Sequence, residues 1–321
     1  MLKSSDLDSL LITTQGLARA RPTAWLRVSG PDAAAFLQGQ CTQDLRSLSP
    51  GRCADALWLN TKGRILGESL ILKERDDQWW LWSAHSAGES LRARLEDFII
   101  ADDVTVAPEE AAWEQLTLAG PAAEKWLGES LPAASPAPES GRWLAFGGGY
   151  LFAGRRGQPR TWEWIRPLAT VSASATERLD PPAALGELSA IALHRARLAA
   201  GVPAIPGEFG PQDLPQEAGL ETIAVSFNKG CYLGQEVMAR LHAMGQVRRR
   251  LVRVGGVGPA PAVNVELRQN DKRVGELRAV VDDGRGGWLG LALLNLLGLA
   301  SSASLVSADQ HAVHLLDPLS S

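Results

Sequence analysis

The chain has 321 residues, 45% of them apolar and 21% charged, which is ordinary globular usage and excludes wholesale disorder. Its 32 basic and 36 acidic side chains give a formal charge of −4, the wrong sign for a protein that coats nucleic acid. Three cysteines with no C-x-x-C pair argue against a disulfide framework or structural zinc. The apolar run over 287–300, about 14 residues, is too short to span a bilayer, and the start MLKSSDLDSLL lacks the apolar core of a signal peptide. A soluble, cytoplasmic chain of two or three domains is expected, without membrane contact.

In chain order, Ala24-Trp25-Leu26-Arg27-Val28 alternates as a strand does. Ser29 and Asp32 fit a helix-capping pattern, and the helix behind it is predicted to turn Phe36, Leu37, Cys41 and Leu45 inward. Strands are predicted at Ala54–Asn60 and Ile65–Lys73 around the turn Asn60-Thr61-Lys62-Gly63, and again at Gln78–Ser83. Leu91, Leu95, Phe98 and Ile99 share one helix face. The Pro/Ala/Ser-rich stretch 131–141 reads as a surface loop, with a domain linker as the alternative. Gly147-Gly148-Gly149 has no Lys-Ser/Thr after it, so it is a turn and not a phosphate loop. Trp162 and Trp164 alternate on one strand face, where packing competes with ligand stacking as their role. A further helix is predicted near Glu187–Ala200, with Gly201 closing it. From Arg249 onward, short apolar runs separated by Gly, Pro, Asn and Asp predict a small antiparallel barrel starting near Gly245. Hairpins mixed with helices make this an α+β chain, divided as 1–244 (two intertwined modules) and 245–321.

The segment that carries chemistry runs from Asn228 to Arg240. A strand is expected at Ala224–Phe227, then a loop in which Gly230 and Gly234 flank Cys231, then a helix with Glu236 and Arg240 one turn apart. A thiol ahead of a helix N-terminus, with Lys229 beside it, is placed to favour the thiolate; a buried inert thiol is the competing reading. Cys41 and Cys53 read as small core residues. None of the five histidines has a partner at metal-ligand spacing, so no intrinsic metal is expected. Arg248-Arg249-Arg250 with Arg253 reads as a solvated lead-in to a strand, with contact to an acidic partner or tRNA as the alternative.

The run Lys229-Gly230-Cys231-Tyr232-x-Gly234-Gln235-Glu236, followed by Ala239-Arg240, resembles the signature of the YgfZ family of folate-binding proteins, relatives of the glycine-cleavage T-protein, an aminomethyltransferase. Other segments resemble that family in order. They are Val28–Ala33 with Phe36–Gln40 and Asp44-Leu45, then Lys62–Ile65, Phe98–Val104, Arg197-Leu198 with Gly201 and Pro203, and Pro215–Ala218. The resemblance implies a ring of α+β modules around a central folate pocket, closed by a C-terminal β-barrel. It implies a bound tetrahydrofolate or derivative and a role in assembling or maintaining iron–sulfur proteins, including tRNA-modifying ones. Partners would then be iron–sulfur assembly factors or client enzymes, and Cys231 would handle a transient cluster or a mixed disulfide. Trp25, Asn60, Lys62, Glu163, Arg197 and Glu217 are the candidates for lining the pocket. A folate-dependent one-carbon transferase or demethylase, and a binding-only protein with a vestigial pocket, are the other readings. Against active aminomethyl transfer, the T-protein's acidic doublet falls on Gly67 and Glu68; Gly67 lacks a charge, and Glu68, the next residue of a strand, is expected to face away.

Overall fold

The structure is a computed structural model that describes residues 14–132, 135–154, 161–168, 179–245, 247–297, 299 and 304–317. Its first sheet contains β2 (Ala24–Ser29), β3 (Cys53–Leu59), β4 (Ile65–Arg75), β5 (Gln78–Ser83) and β6 (Thr105–Pro108), in the order β3-β4-β5-β2-β6 and antiparallel throughout. Both faces are apolar. One face, with Leu26, Val28, Trp58, Ile71 and Leu81, packs on Phe36 and Leu37 of α1 (Ala33–Gln40) and on Leu91 and Leu95 of α2 (Gly88–Glu96). The other, with Trp25, Leu72, Trp80 and Trp82, packs on Trp143, Phe152 and Ile165 of a second sheet.

That second sheet orders β1 (Gly16–Ala20), β7 (Trp113–Ala119), β10 (Thr161–Pro167), β9 (Gly149–Ala153) and β8 (Trp143–Phe146) as β1-β7-β10-β9-β8. Its outer face buries Leu116, Leu118, Trp162 and Trp164 against Ala123 and Leu127 of α3 (Pro121–Ser130). The 131–141 stretch joins α3 to β8, and its residues 133 and 134 lie outside the described ones. Between the sheets lies an aromatic layer. Trp25 and Trp80 stack with centroids 4.6 Å apart, and Trp113 and Tyr150 pack at 5.3–5.8 Å around them. Trp25, Trp80, Trp82, Trp113 and Trp143 thus pack between the sheets, while Trp58 and Trp79 pack under the helices of the first sheet and Trp126, Trp162 and Trp164 on the outer side of the second.

The C-terminal strands β11 (Arg249–Val257), β12 (Glu266–Gln269), β13 (Lys272–Asp282), β14 (Gly287–Asn295), β15 (Leu305–Ser307) and β16 (Ala312–Leu315) close a barrel in the order β11-β14-β13-β12-β15-β16. The helix α4 (Ala190–Ala199) seats Leu198 and Ala199 on its outer wall, against Ala279, Leu289 and Leu291. The expected α+β arrangement with a C-terminal barrel is the one observed.

Four local expectations differ, the first being that α2 ends at Glu96, so Phe98 and Ile99 lie beyond the helix, Phe98 exposed and Ile99 packed at the edge of the core. Asp32 caps no helix N–H; its carboxylate accepts from Asp103 N instead. α1 stops at Gln40, so Cys41 and Leu45 reach the core from the loop behind it. Ala224–Phe227 is not a strand: Glu221–Ala224 is a short helix, α5. The backbone there bonds to Thr42, whose hydroxyl donates to Ala224 O (2.6 Å) and whose carbonyl accepts from Ser226 N (2.9 Å). A local pattern cannot anticipate a partner so far away in sequence.

Cys41 and Cys53 are buried and Cys231 is exposed. Burial raises the Cys41 thiol and pushes Cys53 from the ordinary 9.0 up to about 12. One thiol should thus react with a disulfide reagent in the native state and two more only on unfolding. Thiols held protonated by the fold also contribute stability that is whole below pH 9.0 and erodes as pH rises toward about 12. Cys53→Ala should flatten that alkaline decline in a denaturation series; an unchanged slope would exclude Cys53 as its source.

Candidate functional site

The cysteine motif is built against the first sheet. In the β3–β4 hairpin, Asn60 Oδ1 accepts from the backbone N–H groups of Lys62 (2.9 Å) and Arg64 (3.0 Å), and Gly63 takes φ +69°. Gly234 lies against this turn with φ +85°; a Cβ there would sit 2.6 Å from Asn60 O and 3.2 Å from Gly63 Cα. Only glycine fits both the left-handed backbone and the close approach. Behind it, α6 (Gln235–Met244) buries Met238 beside Leu57, Leu59 and Ile65. Glu236 and Arg240 are exposed. Gly230 has open space where a Cβ would be.

Lys229 does not stand beside the thiol as a loose cation, which corrects the sequence expectation. It is buried, and its Nζ donates to Gln38 O (2.6 Å), Cys41 O (2.7 Å) and Gln43 O (2.8 Å) at the C-terminal end of α1. There it meets carbonyls left without helix partners, at the negative end of the dipole. Burial holds its pKa below the ordinary lysine value, opposed by the charges of Cys41 and Asp44. Tyr232 is buried too, with Lys229 Nζ 5.1 Å from its ring centroid, and burial pushes its phenol up to about 12. Two buried anchors therefore hold a loop that leaves Cys231 in solvent.

Between the first sheet and the 197–220 segment lies a cavity of about 20 Å³ lined by Glu68, Trp82, Ala84, His85, Arg197, Val202, Pro203, Ile205 and Leu220. Glu68 accepts from Ser83 Oγ (3.0 Å), while its own N–H donates to Ser86 Oγ (3.0 Å). The neighbouring Gly67 faces α2, where a Cβ would meet Leu91 Cδ2 at 2.9 Å. The two residues do face opposite ways, but the faces are the reverse of those expected. The cause is an irregularity in the β3–β4 pairing: Trp58 pairs with Gly67 and Leu59 with Ile65, leaving Leu66 looped out. One extra residue flips every side chain beyond it.

The six candidate pocket residues do not form one pocket. Trp25 is fully enclosed in the aromatic layer. Asn60 builds the hairpin turn, and Lys62 is exposed at its tip. Glu163 is buried, accepting from Gln115 Nε2 and Thr117 Oγ1, both at 2.7 Å. Gln115 in turn accepts from Trp82 Nε1 (3.2 Å), so Glu163 lies behind the cavity's tryptophan wall. Arg197 lines the cavity but is held by Glu208 (2.6 and 2.7 Å) and Val202 O (2.7 Å). Glu217 accepts twice from Arg249, each at 2.8 Å, and faces a separate, open pocket of about 980 Å³ between α6 and the barrel. Ligand pockets run to roughly 300–1,000 Å³, so the cavity beside Glu68 does not admit a pterin ring in this form. No cluster of three or more His, Cys, Asp or Glu suited to a metal ion exists among the described residues. None of their helices is long and apolar enough to cross a membrane.

Residues 13–147 match the GCVT N-terminal domain family, and residues 248–319 match the CAF17 C-terminal β-barrel domain family. A solved structure, the glycine cleavage system aminomethyltransferase T from Bartonella henselae, superposes with a TM-score of 0.79, covering 98% of this chain and 88% of that one at 18% identity. The class is thus proteins of the T-protein fold that end in a CAF17-type barrel. Within it the chain is 28% identical over 267 residues to the tRNA-modifying protein YgfZ of Cronobacter sakazakii, covering 80% of this chain and 78% of that one. The chain is thus similar to a YgfZ protein over most of its length, as the cysteine motif led us to expect.

Proposed function

We propose that the protein is a YgfZ-type accessory factor that works through the Cys231 thiol in the upkeep of iron–sulfur enzymes, tRNA-modifying ones among them, with a folate as a bound ligand. The observation that carries this reading is the exposed Cys231 held between buried Lys229 and Tyr232. Such anchoring presents the sulfur to a partner's cluster or disulfide. The folate part is supported by the family likeness, and the cavity beside Glu68 is too small for a pterin in this form.

The test is complementation of a strain lacking its own member of the family. Cys231→Ser should keep its stability within about 0.5 kcal/mol, as exposed substitutions do, and should fail to restore the activity of an iron–sulfur tRNA-thiolating enzyme. Full restoration by a stable Cys231→Ser protein would remove the thiol from the mechanism. A second reading, folate-dependent one-carbon transfer, is favoured by one observation: Glu68 faces the cavity and not away from it. Formation of methylenetetrahydrofolate from an aminomethyl-lipoyl carrier, lost in Glu68→Gln, would promote that reading over the first.

A further inference from the structure

The open pocket of about 980 Å³ has a charge pattern that neither reading uses. Its walls come from four places: the hairpin (Arg64), the 212–217 segment, the last turn of α6 (Arg240, Leu241) and the barrel rim (Arg248, Arg249, Asn295, Leu297). Four arginines line it, and one carboxylate, Glu217. That carboxylate is already satisfied by both nitrogens it accepts from on Arg249 and by Leu214 N. Arg64 is oriented by a 2.8 Å bond from Nη1 to Gln212 O, a neutral acceptor that leaves its charge uncompensated. Arg240 and Arg248 are exposed, and their guanidinium groups make no hydrogen bond or ion pair with the described residues. The chain's net charge is −4, yet three uncompensated guanidinium groups line this one concave, partly apolar site.

We propose that this pocket binds a small anion carrying two or more carboxylate or phosphate charges on a partly apolar body. Guanidinium groups present paired donors that match either oxyanion. Leu214, Leu241 and Leu297 add apolar lining, beside which a charge is less well solvated and the attraction stronger than in bulk water. A concave site of ligand size favours a small molecule over an RNA backbone, which tracks an extended basic stripe. The inference stands apart from the folate reading, since its probes contain no pterin.

The experiment is calorimetry on the full chain with sodium tripolyphosphate and, separately, citrate, at low and at high salt. At least one should bind with a stoichiometry of one and weaken as salt screens the charges. Binding of tripolyphosphate alone assigns a phosphorylated ligand; binding of citrate alone assigns a polycarboxylate. The double variant Arg240→Glu/Arg248→Glu should weaken the bound anion on the order of a hundredfold, about tenfold per guanidinium, while a control reversal on α3, Lys125→Glu, changes nothing. Both arginines are exposed, so the melting temperature should not move. Binding of neither anion, binding indifferent to the double variant, or binding of an RNA oligonucleotide alone would overturn the proposal.

Discussion

Lys229→Met should cost about 2–4 kcal/mol of stability and release the Cys231 loop. The substitution keeps the volume and removes the amine. Three carbonyls, on Gln38, Cys41 and Gln43, then lose their donor at a buried helix end. An unsatisfied buried acceptor costs on the order of 1–3 kcal/mol, part of which entering water restores. The loop is the functional part of the effect. Lys229 tethers the 228–232 segment to α1, so its loss frees the residues on either side of the thiol. Chemical denaturation measures the first effect, and amide hydrogen exchange across 228–234 the second. A Lys229→Met protein as stable and as protected as the parent would show that the amine is no anchor, and the electrostatic role beside Cys231 would return.

What the sequence made legible was whatever local periodicity encodes. Gln78–Ser83 has the same bounds in sequence and structure, and the short apolar runs after Arg249 became the barrel strands. The Asn60–Gly63 turn followed from its residue types, because Asn60 supplies the side-chain acceptor and Gly63 the left-handed backbone. Illegible were the features fixed by distant partners. Thr42 diverts the backbone of Ala224–Ser226 from a sheet. The three carbonyls that claim Lys229 lie nowhere near it in the chain. Leu66 is a third case: a single looped-out residue exchanged the faces of Gly67 and Glu68, and nothing in the alternation of β4 marks where it falls. Trp25 shows the converse limit. Its burial was foreseeable, but a tryptophan in a sheet interior and one beside a ligand have the same sequence signature.

The barrel is joined to the rest of the chain by charge as well as by apolar contact, and Asp213→Ala should expose that dependence. Asp213 is 1% exposed. It accepts from Gly210 N (2.9 Å), twice from Arg278 of β13 (3.1 and 3.2 Å) and from Arg249 of β11 (3.3 Å). Its backbone carbonyl also takes Ile65 N at 3.2 Å, tying the same residue to β4. Removing the carboxylate leaves two guanidinium groups facing each other with only Glu217 and Glu276 to balance them. Breaking a buried ion pair from one side typically costs about 3–5 kcal/mol. Asp213→Asn should cost less, since its amide oxygen still serves Gly210 N while the charge is lost. Because Arg249 starts β11 and borders the open pocket, the alanine variant should also loosen the entry to the barrel. Trypsin should then cut after Arg248, Arg249 or Arg250 much faster than in the parent, and the asparagine variant should fall between. If Asp213→Ala melts with the parent and resists trypsin equally, the other contacts of the junction, Leu198 and Ala199 on the barrel wall and Leu293 against Leu57 and Ile205 among them, suffice to hold it, and the carboxylate is dispensable.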